Sequence, residues 1–189
     1  MGRPFNFDRH RETSWPAMLR PIGEGKGVGR KEAFEAWWGR HETTLNHLPR
    51  DLCEQWIYRH WEHSPFSFLP LDTLTCTRER WEGATLLSAI HRVFGGELHP
   101  EFDYEVFQQK GGDDRHATAR ALDEGTWDYP MVLLSTPHGI VDVGKELPDV
   151  RLVIVEGHQR HRYLNALHSR GTPPAGPHEV IIIASPLVA

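Results

Sequence analysis

The segment that most constrains this chain is residues 150–171, VRLVIVEGHQRHRYLNALHSRG. Its apolar, β-branched start reads as a buried strand, Glu156-Gly157 interrupts it, and a helix opens near His158. Gly157 can take the backbone geometry that a sharp strand-to-helix turn needs. The first amides of the new helix have no partners inside it and carry the positive end of its dipole, so they make an anion site. His158, Gln159, Arg160 and Arg162 add donors around that site. Arg160 shares a face with Leu164 and Leu167 at i, i+4 and i+7, so its side chain starts from the inward face. An arginine in that setting suits bidentate phosphate binding. It equally suits tying the helix to a neighbouring carboxylate, and spacing leaves both open.

Composition narrows the class of partner. Lys plus Arg total 21 against 26 Asp plus Glu, a formal net of −5, so any nucleic acid is expected to meet a local patch instead of a broad basic face. No apolar run approaches the roughly 18–20 residues of a membrane span. The start, MGRPFNFDRH, lacks the apolar core of a secretory signal, and the cell interior, the cytoplasm, is the expected home. Cys53 and Cys76 are too few for a disulfide framework or a four-thiolate zinc site. Cys53 sits on an apolar stripe and is expected to be a buried, inert thiol. Five of the seven tryptophans precede residue 62 and read as a helical core with some surface aromatics.

Along the chain, residues 1–30 read as a flexible segment. GEGKGVGRK, residues 23–31, has neither the Gly-Lys-Ser/Thr ending nor the leading strand of a nucleotide loop, and reads as a basic lead-in. Residues 31–66 form a helical extension. Phe34, Trp37, Trp38, His41, Leu45 and Leu48 line one helix face; after Pro49 a second stripe runs through Leu52, Cys53, Trp56, Ile57 and His60. The run from His60 to His63 fits no standard zinc spacing and reads as a helix end. Residues 67–189 form the remaining domain, packed with the rest as one globular unit. Leu86, Leu87, Ile90, Val93 and Phe94 predict a helix stopping at Gly95-Gly96. Phe102, Tyr104 and Val106 alternate with acids and predict a half-buried strand. Residues 110–114 read as a turn and 115–124 as a short helix. Residues 131–134, 140–143, 151–155 and 180–184 read as short strands, the last two apolar enough for central positions. Helices and strands mix without strict alternation, so the fold class is α+β.

The run of hydrophobic strand, Glu-Gly-His-Gln-Arg and helix resembles the core motif of the ParB/sulfiredoxin superfamily: glycine, two variable residues, then arginine opening a helix. Gly157 and Arg160 match the shared positions, and His158-Gln159 occupy the variable pair. FLPLDTL at 68–74 resembles the opening segment of such domains, DYPMVLL at 128–134 the strand in their middle, and HEVIIIAS the strand after the motif helix. The likeness covers about residues 68–185. It implies a mixed sheet with flanking helices. Length and sequence together resemble the fertility-inhibition branch, in which a resident plasmid blocks transfer of another plasmid's DNA through a conjugation-type secretion system. That resemblance implies ATP binding and hydrolysis, and nuclease activity on DNA. The implied partners are nucleotide, DNA, and a coupling protein or secreted DNA–protein complex of the transfer machinery.

The departures also inform. Sulfiredoxin chemistry needs a reactive cysteine in the motif, where this chain has His158. A partitioning clamp carries a helix-turn-helix domain and a dimerisation tail after the motif, whereas 18 residues follow Gly171 here. For phosphodiester cleavage, a divalent metal, Mg2+ by expectation, held by carboxylates would activate water. Glu156 and Asp142, at strand ends, are the candidates. Glu156 alternatively pairs with Arg160 or Arg162. His158 serves as general acid or base, or binds phosphate. Catalysis is thus assigned to Glu156, His158 and Arg160, nucleotide phosphate to residues 157–160 and Arg162, and DNA to Arg151, Arg162 and Arg170. The rival reading is a non-catalytic inhibitor that binds the transfer machinery, with nucleotide at most a switch.

Overall fold

A buried strand does run into a helix through Gly157, and this unit sits amid an α+β fold. The computed structural model describes residues 2–10, 15–24, 30–94, 96–108 and 117–189. In chain order the elements are β1 (Phe5–Asn6), α1 (Phe34–Leu45), α2 (Arg50–Leu52), β2 (Thr75–Trp81), α3 (Gly83–Ala89) and β3 (Ile90–His91). They continue with α4 (Pro100–Gln108), α5 (Ala117–Asp123), β4 (Met131–Ser135), β5 (Ile140–Asp142), β6 (Lys145–Leu147), β7 (Leu152–Glu156), α6 (His158–Ser169) and β8 (His178–Ala184). The chain divides into two compact units: residues 1–76, 135–149 and 183–189, and residues 77–134 and 150–182.

The second unit is built on a five-stranded sheet of order β2-β8-β4-β7-β3. The apolar runs of β8, β4 and β7 take the interior positions, as their composition demands. β3 pairs in parallel with β7, Ile90 opposite Leu152 and His91 opposite Val153. Helix α6 packs on α3, α4 and α5. Leu86, Phe107, Met131, Ile154, Leu164 and Val180 lie in the shared core.

Helix α1 in the first unit buries Phe34, Trp37, His41 and Leu45, the stripe read from the sequence. The chain after α2 winds as a π-helix through Cys53–Tyr58, burying Cys53, Trp56 and Ile57. Trp15, Trp37, Trp56 and Trp127 are buried, while Trp38, Trp61 and Trp81 are half-buried. A second sheet has the order β1-β5-β6. Its β5–β6 turn, Val143-Gly144, donates both backbone N–H groups to the Asp8 carboxylate, at 3.1 and 2.9 Å.

Several expectations need correction. Residues 102–106 are helical, not a strand: Pro100 opens α4, and Asp103 and Phe107, four apart, are its buried positions. Asp103 also accepts a hydrogen bond from the His99 N–H at 3.1 Å, securing the helix start. Phe102 and Val106, two of the three apolar residues in the apparent alternation, are exposed. The helix through Leu86 ends at Ala89 because Ile90 and His91 pair with β7. Within the first 30 residues, Phe5, Phe7, Trp15 and Leu19 are buried, so this segment carries core side chains where its polar composition read as loose. Residues 25–29 of the glycine-rich lead-in, the turn at 110–114 and residues 115–116 lie outside the described residues.

Candidate functional site

The site begins with Gly157, which caps α6 at φ 102° and ψ 23°, in the left-handed region. A Cβ there would lie 3.0 Å from Met131 Cγ and 3.4 Å from Arg160 Nη1, so both backbone conformation and space select glycine. Gly157 has no side chain to cap α6, and the first turn holds no acidic residue. The helix therefore starts with its positive end unneutralised by its own sequence.

Arg160 is 3% exposed. Its Nε lies 3.1 Å from Asp128 Oδ1 and its Nη1 3.6 Å from Glu156 Oε1. Thr118 Oγ1 donates to the same Asp128 oxygen at 3.0 Å. The guanidinium carbon lies 5.9 Å from the centre of the Tyr129 ring. Of the two roles open to Arg160, the tie to neighbouring carboxylates is the one this geometry contains. Glu156, likewise, faces Arg160, the alternative that its position left open.

The structure gathers Glu156, Gly157, His158 and Arg160 at one turn and adds Asp128, which spacing did not reveal. Gln159 is exposed. Asp142 falls in the first compact unit and Glu156 in the second. Among the described residues no three His, Cys, Asp or Glu side chains group as metal ligands. Among the described residues, then, a divalent ion has no cage of three such side chains.

The residues expected to meet DNA lie along α6 and before β7. Arg162 Nε is 2.8 Å from Asp103 Oδ1, and its Nη2 donates to the Glu97 carbonyl at 3.0 Å. Arg170 Nη1 is 2.7 Å from Glu101 Oε2, with its guanidinium carbon 4.0 Å from the Tyr104 ring centre. Arg151 is exposed. The acids of α4 therefore engage two of the three arginines.

Two basic residues outside that assignment belong to the same region. His161 is 2% exposed, and neither ring nitrogen has a hydrogen-bond partner among the described residues. Burial pulls its pKa down to about 4, helped by the charges of Arg92, His158 and Arg162. Arg92, one residue beyond β3, has a buried Nε without a partner among the described residues. Burial and Arg162 lower its pKa, and Asp103 opposes them. His161 lay in plain sight within the His-Gln-Arg-His-Arg run; Arg92 carried no signal, because β3 is only two residues long.

Comparison with protein-family models, curated proteins and solved structures finds no match to this chain.

Proposed function

We propose that this protein is a plasmid fertility-inhibition effector of the ParB/sulfiredoxin kind, which binds and hydrolyses ATP and cleaves DNA. The observation that carries the reading is the start of α6, where the N-cap residue Gly157 brings no capping side chain, with Glu156 and Arg160 beside it. The amides of the first turn receive a phosphate group, whose negative charge the helix end favours. The His158 ring adds a donor, or moves a proton at the phosphate oxygen. Glu156 orients and deprotonates the attacking water, and Arg160 holds that carboxylate in place. ATP arrives as its magnesium complex. An ion of this kind is characteristically bound by one or two carboxylates plus phosphates instead of a protein cage. Arg151, Arg162 and Arg170 meet DNA through a few phosphates, so affinity falls with salt at about −0.9 in log–log slope per phosphate neutralised. Blocked transfer follows from attack on the travelling DNA, or from contact with a coupling protein or secreted DNA–protein complex.

The pairing of Arg160 with Asp128 and Glu156 favours a second reading. In it the turn is structural, and the protein inhibits by binding the transfer machinery without turnover. The test is release of phosphate from ATP and nicking of plasmid DNA by purified protein, with and without a chelator. The enzyme reading expects both activities and their loss in chelator. Tight binding to the transfer machinery with neither activity would establish the second.

A further inference from the structure

Buried nitrogens of Arg92 and His161 that have no partner among the described residues ask for a ligand of their own. Arg92 follows β3, and the parallel register with β7 brings the carboxyl ends of both strands to the side where α6 begins. Ligands of sheets with parallel strands characteristically collect beyond the strands' carboxyl ends. His161 lies one turn into α6, and it feels the charges of Arg92, His158 and Arg162. Asp103, from α4, faces the cluster, but Arg162 engages it at 2.8 Å. Two arginines thus share one carboxylate, which leaves an excess of positive charge around buried N–H donors.

Buried polar groups are normally satisfied, and an unpaired one carries its full desolvation penalty. Arg92 Nε and both His161 ring nitrogens are buried exceptions among the described residues, and the Arg92 charge acts on the His161 ring. A tetrahedral oxyanion suits several separate donors better than a planar carboxylate, because it has more oxygens to share among them. We infer that Arg92 and His161 hold a phosphate-class oxyanion at the start of α6. This deepens the phosphate-binding reading of the turn and rests on it for the ligand's class, but it moves the charge recognition from Arg160 to Arg92 and His161. The ligand is either free phosphate or the phosphate tail of a nucleotide.

Titration of the full chain with inorganic phosphate and with sulfate, followed by calorimetry, tests the site. Sulfate serves because its charge stays constant across the relevant pH range. Wild type should bind both saturably. Arg92→Met should weaken binding by roughly 10- to 150-fold, the scale of a lost charge-assisted bond, and His161→Gln by about 2- to 10-fold. An anion favours the protonated imidazole, so sulfate should bind more tightly at pH 5 than at pH 7, and this gain should vanish in His161→Gln. Arg92, Arg162, His158 and Asp103 are the charged and titratable groups whose field acts on that ring or its neighbour. Should Arg92→Met fail to fold, proton NMR of wild type decides: sulfate should raise the pKa of the His161 ring. No saturable binding, an unmoved ring pKa, or unchanged affinity in folded Arg92→Met would each overturn the site. ATP separates the sources. Competition with sulfate identifies the nucleotide tail as occupant. Sulfate binding that shows these dependences without ATP competition or turnover keeps the oxyanion site and removes the hydrolase reading.

Discussion

Arg160 and His161 are consecutive residues of one helix, both almost wholly buried, and they are treated in opposite ways. Arg160 is neutralised by Asp128 and Glu156, with Thr118 supporting Asp128. His161 keeps two bare ring nitrogens and lies in the field of Arg92 and Arg162. The first arrangement is closed: the arginine is held by two carboxylates in a defined geometry, so its main effect is to hold β7, α6 and the segment before β4 together. The second is open, with hydrogen-bonding capacity that nothing among the described residues uses. Sequence resemblance points to the arginine, whereas unsatisfied hydrogen-bonding capacity points to its neighbours. The two answers make different demands on stability and ligand binding.

The sharpest break in this comparison comes from Arg160→Ala. Removing one member of a buried ionic group leaves Asp128 and Glu156 without their counter-charge, and the folded state should lose about 3–5 kcal/mol in urea denaturation. Arg160→Lys should recover part of this, since lysine keeps the charge and loses the planar fork. A loss below about 1 kcal/mol would mean that the closed half of the turn is not structural.

Acid should act next, on the open half. His161 has a pKa near 4 when folded against an ordinary 6.5, with burial as the main cause. Above pH 6.5 the ring is neutral in both states. As pH falls from 6.5 towards 4 the unfolded chain takes up a proton that the folded chain refuses, so stability drops. The full loss is about 3 kcal/mol at roughly 1.4 kcal/mol per pKa unit. His41 and His178, also lowered by burial, act in the same direction. The difference between wild type and His161→Gln in melts from pH 7 to pH 4 isolates the ring, and identical curves would contradict the account.

Gly157→Ala tests the turn that both halves share. An L residue at this φ costs about 1–2 kcal/mol, and the contact with Met131 adds to it. Urea denaturation should show at least that loss. Cysteine chemistry gives the smallest effect. Burial, and after it the neighbouring Cys76 and Asp51, push the Cys53 thiol up to about 12. A thiol reagent should therefore modify Cys76 alone in the folded protein, and replacing both cysteines by alanine should leave the proposed inhibition of DNA transfer intact.

What was legible in the sequence was local. β7, Gly157 and α6 occupy one continuous segment in which apolar run, glycine and helical stripe agree, so Glu156, His158 and Arg160 could be named together. β4 and β8 were readable for the same reason. The partners of those residues come from distant segments: Asp128 before β4, Asp103 on α4, Arg92 after β3. No spacing rule connects them, because the sheet order that assembles them is a tertiary outcome. α4 failed for a different reason. Its aromatic residues alternate over a short stretch while Asp103 and Phe107 carry the helical spacing, and burial, not periodicity, decides between the two. Ile90 and His91 lie in a helical pattern that gives way to pairing with β7.

The proposed hydrolysis makes the turn from β7 to α6 a phosphate site with Glu156 as its working carboxylate. Single-turnover measurement of ATP binding and phosphate release by wild type and Glu156→Gln tests it most directly. Both proteins should bind ATP, and phosphate release should fall at least about 100-fold in the variant, the scale of a lost acid–base group. Equal release from a folded Glu156→Gln, or no ATP binding by wild type, would contradict it.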